Sequence, residues 1–396
     1  MDRLKVVETF AGIGSQRRAL ELANVDHEVV GISEWNFNSL LSYDAIHTDD
    51  GVDYSEGMSY DEIFEILNKH TFSHDGSKPY DLSKMTEDKI RKVYNAHIRT
   101  KNLGNITELR ELPYCDLLTY SFPCKDISIA GRMAGMTKGE NTRSGLLWEI
   151  ERLLDNANTK NKLPKYLLLE NVKNLVGKKF KEDFDAWIEK LDELGYNTYW
   201  DVLNARDFGL PQRRNRVFAV SILKDYDDGT FFFEDGSDKQ TGFNEVMLDD
   251  VDEKFYIEPK EVNRLIGMEK LGDIGTLPSF KGIALTTSAL ASREHRSGGW
   301  TEVVGTLCAR DWKDPKVVAV PITKQNEQYK IKTDYCEPFA IRKIVPQETF
   351  RLTGFTDEDF LNASKVCANT HPYSQTGDSI AVPVLVSIFK NLFKGE

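Results

Sequence analysis

Three consecutive leucines, Leu167-Leu168-Leu169, preceded by Tyr166 and closed by Glu170-Asn171-Val172, make a run that offers almost no polar side chain to water. Alternate residues of a strand point to opposite faces, so a strand apolar at every position can be covered on both. That is the setting of an interior strand of a parallel sheet with helices on either side. The acid that ends the run then stands at the carboxyl edge of such a sheet, where open α/β folds carry their chemistry.

The rest of the chain supplies the partners. Short apolar strands are predicted at Leu4–Thr9, Val29–Ser33, Cys115–Tyr120, Asn197–Leu203 and Arg216–Ile222. Helical spacing of apolar residues predicts helices at Ser15–Ala23, Gly145–Asn156 and Phe180–Leu194. The alternation predicts an α/β fold, a doubly wound Rossmann-like sheet. Residues 1–222 form this domain, completed by a carboxyl-terminal segment, 369–396. A polar, helix-rich insert at 49–102 carries no residue with an evident catalytic role and reads as a surface excursion. After Ile222 the texture changes to turn clusters and acidic stretches, which predicts a smaller, irregular second domain over 223–368.

Composition excludes several classes. No apolar run approaches the length of a membrane span, and Met1-Asp2-Arg3-Leu4-Lys5 leads straight into a strand, so neither membrane attachment nor export is expected. Five scattered cysteines and seven scattered histidines indicate neither a disulfide framework nor a metal site, which suits a cytoplasmic setting. A formal net charge of −12 argues against a nucleic-acid partner. The balance is local, however, because residues 281–330 hold eight basic side chains against five acidic ones. An acidic body can still carry a basic face.

Two strand ends carry reactive groups. In Tyr120-Ser121-Phe122-Pro123-Cys124, a thiol follows a proline that cannot continue a ladder, which presents it as a nucleophile. A lone cysteine is more often a small buried apolar side chain. Glu170 at a second strand end changes that balance, because a carboxyl group beside an apolar run is suited to proton donation. A third strand end opens a Gly-rich turn, Phe10-Ala11-Gly12-Ile13-Gly14, followed by a helix, a strand and Glu34-Trp35. Glycines let backbone approach a cofactor, and an acid after the second strand accepts hydrogen bonds from ribose hydroxyls.

Taken in order, Phe10 to Gly14, Glu34-Trp35, Phe122-Pro123-Cys124, Ser144-Gly145-Leu146-Leu147, Glu170-Asn171-Val172, Gln212-Arg213-Arg214-Asn215-Arg216, Arg351 to Phe355, and Gly377-Asp378-Ser379 with Pro383-Val384 resemble the motif series of DNA (cytosine-5) methyltransferases. Only the insert and the second domain fall outside it. The resemblance implies that Cys124 adds to cytosine C6 and Glu170 donates to N3. It also implies that Arg216 sits near the O2 side, Arg214 orients Glu170 or holds a phosphate, and Asn171 helps place a base flipped from the duplex. It implies S-adenosylmethionine as cofactor, enclosed by Phe10, Ala11, Gly12, Ile13 and Gly14. Glu34 would take its ribose, Trp35, Asn105, Ile106 and Leu146 would surround it, and Asp378 and Ser379 would lie near its methionine end.

The second domain would recognise the target in double-stranded DNA, with Arg293, Arg296, Arg310, Lys313 and Lys316 as its candidate contacts and Lys125, next to Cys124 in the first domain, as a further one. A monomer modifying DNA beside a separate restriction endonuclease is the implied setting. Three positions depart from the family pattern: Lys125 stands where Gln is usual, Asn105 where Asp is usual, and Asp378 where Asn is usual. A nicotinamide-dependent oxidoreductase would account for the Gly-rich turn and Glu34, but not for Pro123-Cys124 with Glu170. A transfer-RNA methyltransferase shares the core by the same resemblance, and the long second domain favours duplex DNA. A DNA-binding protein that has lost turnover is the non-enzymatic reading.

Overall fold

The computed structural model describes residues 3–123, 143–236, 241–261, 283–285, 303–313, 316–332, 338–368 and 370–394, with 143–144 and 283–285 as backbone only. Its main sheet is built from β1 (Leu4–Thr9), β2 (His27–Ser33), β3 (Leu117–Tyr120), β4 (Tyr166–Val172), β5 (Tyr196–Asn204) and β7 (Asn215–Leu223); β6 is the two-residue strand Gln212–Arg213. The strand order is β2-β1-β3-β4-β7-β5. The first four run parallel, whereas β7 is antiparallel to both β4 and β5. The short return from β5 to β7 explains the reversal, since a parallel crossover needs a dozen residues or more.

Both faces of the sheet are covered, as the Leu167–Leu169 run requires. Val6, Leu117 and Leu168 pack on one face with Leu385 and Phe389 of α9 (Val382–Leu392) and Leu20 of α1 (Ser15–Leu22). Val7, Leu118, Leu167 and Leu169 pack on the other with α5 (Leu147–Thr159) and α6 (Lys181–Glu193). Neighbouring residues in one strand thus belong to different cores, as the period of two dictates.

The insert is more than an excursion. Its helices α3 (Tyr60–Leu67) and α4 (Glu87–Arg99) bury Ile63, Leu67, Ile90, Val93 and Ala96 against Ile32 of β2 and Phe37, Leu40 and Leu41 of α2 (Phe37–His47). Ser59 and Glu62 cap α3 reciprocally, and the Thr86 hydroxyl caps α4.

A second, smaller core gathers Phe243, Val304, Leu307, Val318, Tyr329, Ala340 and Ile344. Its antiparallel sheet has the order β11-β10-β8, from β8 (Ile283–Leu285), β10 (Val317–Pro321) and β11 (Phe339–Lys343). The two-residue strand β9 (Val304–Gly305) pairs with β6. The sequence assigns 223–368 to this second unit, but α7 (Pro346–Thr353), α8 (Asp357–Val366) and the turn between them send Phe350, Ala363 and Phe355 into the core of the main sheet. Leu352 of α7 joins the smaller core instead, so this helix is shared. Where β11 meets α7, fully buried Arg342 and Glu348 form a two-pronged ion pair at 2.6 and 2.9 Å. Glu348 also accepts from the amides of Val345 and Leu248.

Candidate active site

The Gly-rich turn is tightly specified. Phe10 has φ 55 and Gly12 and Gly14 have φ 58 and 81, so the chain leaves β1 through left-handed conformations. Phe10 adopts its conformation at a cost of about 1–2 kcal/mol. At Gly14 a Cβ would lie 2.4 Å from His47 Nε2 and 2.8 Å from Tyr43 Cε2, both on α2. At Gly12 a Cβ would meet nothing within 4 Å.

Glu34 closes β2 beside this turn. Its carboxylate accepts from the amides of Gly12 at 2.9 Å and Asn36 at 2.7 Å. Asn102 grips the Glu34 backbone on both sides, accepting from its amide at 3.1 Å and donating to its carbonyl at 3.0 Å. Burial pushes the Glu34 carboxyl up to about 7; the two amides oppose the shift and the charge of Asp378 adds to it. Asn105 folds its own loop, its side-chain oxygen accepting from the Thr107 amide at 3.2 Å. An amide oxygen has a second lone pair, so it can still accept from a ligand.

At the other end, parallel pairing of Tyr120 with Leu169 puts Ser121 beside Glu170. The Ser121 hydroxyl donates to one Glu170 oxygen at 2.6 Å, and Arg216 Nε stands 3.2 Å from the other. Glu170 is buried, and both of its oxygens are held. Asn171 donates to the Phe122 carbonyl at 3.0 Å, which fixes the backbone two residues before Cys124. Cys124 and Lys125 themselves lie outside the described residues, as do Arg293 and Arg296.

A cavity of about 570 Å³ joins the two ends. Phe10, Ala11, Gly12, Ile13, Glu34, Trp35, Asn105, Ile106, Leu146, Asp378 and Ser379 line it together with Pro123, Glu170, Asn171, Arg214 and Arg216. Gly14 does not reach it and acts through packing.

Two expectations change. Arg214 is buried and donates to the carbonyls of Leu307 at 3.1 Å, Gly377 at 3.1 Å and Ser379 at 2.6 Å, while Arg216 is the arginine paired with Glu170. Lys316 is only 8% exposed, with Asp311 3.4 Å away, so it does not offer a free cation to DNA. Arg310 and Lys313 are exposed, and Lys313 Nζ lies 4.9 Å over the ring of Trp312, which is itself exposed.

Sequence reading missed Ser121, Asn102 and the stretch Asp75-Gly76-Ser77, which also lines the cavity. The serine adjoins the Phe-Pro-Cys motif and could have been noticed there. The insert's loop offers no such signal, because its position depends on backbone pairing of Ser73 with Trp35 and Phe37.

A doubly wound sheet with one reversed strand, and one cavity running from a Gly-rich turn to a buried acid at the carboxyl edge, define the chain as a Rossmann-like α/β protein. The family profile of C-5 cytosine-specific DNA methylases matches residues 68–394. A type II methyltransferase of Lactococcus lactis subsp. cremoris, M2.ScrFI, is 37% identical over 99% of this chain and 100% of that protein. The orphan methyltransferase M.SssI of Spiroplasma monobiae is 34% identical over 98% of this chain and 97% of that one. Among solved structures, Dnmt2 methyltransferase of S. pombe aligns with a TM-score of 0.54 at 17% identity, covering 99% of each chain. A methyltransferase of Entamoeba histolytica, EhMeth, aligns at 0.58 and 14%, covering 99% of this chain and 98% of that one, and both likenesses bear on the fold alone.

The chain belongs to the C-5 cytosine-specific DNA methylase family and is a DNA cytosine-5 methyltransferase. Among the described residues, no helix is long and apolar enough to cross a membrane, and no group of three or more His, Cys, Asp or Glu side chains could hold a metal ion.

Proposed function

We propose that this enzyme methylates cytosine within a short sequence of double-stranded DNA, as the modification half of a restriction-modification system. The observation that carries the reading is the single cavity: residues suited to an adenosine ligand share it with Glu170, Arg216 and the loop leading into Cys124. The Lactococcus relative is named a type II methyltransferase, which supports the restriction-modification setting. A separate endonuclease and a monomeric enzyme belong to the same reading.

S-adenosylmethionine fits the near end. Gly12 leaves open space where a Cβ would stand, Trp35 offers an aromatic face and Ile106 an apolar wall. Glu34 would accept from ribose hydroxyls, Asn105 from the adenine amino group, and Asp378 and Ser379 would flank the methionine end. Bound there, the cofactor supplies an electrophilic methyl group.

The protein's own residues do the rest. Cytosine C5 is a poor nucleophile, and inside a duplex both C5 and C6 are stacked, so the base has to be turned out into the cavity. The Cys124 thiolate forms a bond to C6 while Glu170 gives its proton to N3, which leaves C5 electron-rich. Arg216 and Ser121, each on one oxygen of Glu170, hold that acid in one orientation. Asn171 holds the Phe122 carbonyl and so the backbone that presents Cys124. Once C5 carries the methyl group, loss of the C5 proton restores the 5,6 double bond and expels the thiolate, and the N3 proton returns to Glu170. We assign target recognition to the unit between Phe243 and Ile344, with exposed Arg310 and Lys313 as backbone contacts.

The test is base-resolution 5-methylcytosine sequencing of DNA from a methylation-free host expressing the chain, beside Cys124→Ala. Modified cytosines confined to one short motif and absent with the variant are expected. A soluble wild-type protein that leaves the genome unmodified would overturn the reading.

A further inference from the structure

The Gln212-Arg213-Arg214-Asn215-Arg216 run divides its work in an unexpected way. Arg214 and Arg216 are two residues apart, yet Arg216 approaches Glu170 while Arg214 turns to a different junction. Its guanidinium, 2% exposed, bridges two pieces of chain far apart in sequence. On one side is Leu307 of the smaller core, and on the other is the turn Gly377 to Ser379.

The same junction is closed by the three residues before Arg214. The Gln212 amide oxygen accepts from Leu307 N at 3.0 Å, and its nitrogen donates to Leu352 O at 2.7 Å. The Thr306 hydroxyl donates to Arg213 O at 2.7 Å, and Val304 N donates to Pro211 O at 2.8 Å. Gly377 lies so close to the segment that a Cβ there would stand 2.3 Å from the backbone of both Cys308 and Ala309. Asp378 and Ser379, the next two residues, line the cavity.

We propose that Arg214 is a positioning residue that locks the recognition-side segment Val304–Cys308 onto the turn at Gly377–Ser379, and so sets both DNA and cofactor affinity through the backbone it holds. The proposal rests on the functional reading above. Its chemistry is distinct from that of a phosphate contact. One guanidinium donates in three directions in a fixed plane, whereas a single ammonium cannot meet carbonyls on both sides of the junction. A phosphate, by contrast, accepts Lys nearly as well as Arg.

Three variants of the full-length enzyme decide it. The probes are S-adenosylhomocysteine, bound in calorimetry without DNA, and a duplex carrying the sequence that the wild type methylates. Arg214→Lys should raise the dissociation constant for S-adenosylhomocysteine and the KM for the duplex about tenfold each, with kcat at saturation changed less than threefold. Gly377→Ala, which alters no charge, should reproduce both defects and serves as the second variant if Arg214→Lys does not fold. Arg214→Gln should leave the slope of log affinity against log salt unchanged, because no phosphate is released. Wild-type constants in Arg214→Lys, or a salt slope shallower by about one charge in Arg214→Gln, would overturn the proposal in favour of an idle residue or a phosphate contact. A wild type without methylation would sink the functional reading separately, and the cofactor titrations would still decide the role of Arg214.

Discussion

Gly12 and Gly14 occupy one turn, and replacing each by alanine should produce opposite defects. Both have positive φ, 58 and 81, so each alanine meets the left-handed penalty of about 1–2 kcal/mol. At Gly12 nothing lies within 4 Å of the new methyl, and that backbone term is the whole stability cost. At Gly14 the methyl would stand 2.4 Å from His47 Nε2, 2.7 Å from its Cδ2 and 2.8 Å from Tyr43 Cε2. These rings cannot swing away: Tyr43 is fully buried and donates to Glu8 at 2.6 Å, and His47 Nε2 sits 3.0 Å from the Ile13 carbonyl. Overpacking of this kind adds about 1–3 kcal/mol, so Gly14→Ala should lose about 2–5 kcal/mol in all. Function should run the other way, because Gly12 lines the cavity and Gly14 does not. Urea unfolding and S-adenosylhomocysteine calorimetry on the two variants make the comparison. Equal losses of stability, or wild-type affinity in Gly12→Ala, would refute the geometry of the turn.

Three further outcomes follow from particular contacts. Trp35→Ala should weaken S-adenosylhomocysteine by the ~1–3 kcal/mol typical of a lost base–aromatic stack, read by calorimetry; an unchanged constant removes Trp35 from the site. The Glu34 carboxyl, raised by burial from 4.5 to about 7, holds a proton in the folded chain that the unfolded chain releases, so its contribution to stability declines as pH rises from 4.5 to 7. Cofactor affinity should move oppositely, rising up to about tenfold between pH 6 and 8 as Glu34 ionises, and Glu34→Gln should flatten that rise. Glu348→Leu leaves the Arg342 charge buried and should cost about 3–5 kcal/mol in denaturant unfolding; adding Arg342→Met should recover part of it, and no recovery would mean that the ion pair is not what holds β11 to α7.

Much of the fold was legible because apolar periodicity is a local property. β1 falls where its pattern predicts, Leu4–Thr9, and Tyr166–Val172 is the interior strand that its leucines require. The antiparallel setting of β7 was not legible, since its sequence is as apolar as a parallel strand and only the short return from β5 gives its direction. The insert was misread for a related reason. Its helices look polar because each buries a single stripe, and nothing local reveals that the stripe packs on β2 or that the loop beyond it reaches the cavity.

The site divides along the same line between what residue types announce and what only tertiary placement decides. Glu34 and Glu170 each follow or close an apolar strand, which makes them visible in the sequence, and the structure brings both to the cavity. The arginines are not so legible, since the run from Gln212 to Arg216 offers three guanidinium groups whose side-chain directions depend on β6, β7 and what each meets. Arg216 finds Glu170, and Arg214 finds three carbonyls from segments 93 to 165 residues away. A buried guanidinium that joins backbone from two cores is worth more as a fixed distance than as a charge. On the proposed reading, the acid at Glu170 and the turn at Gly377–Ser379 are registered to one short strand pair, and the precision of the cavity rests on that pair.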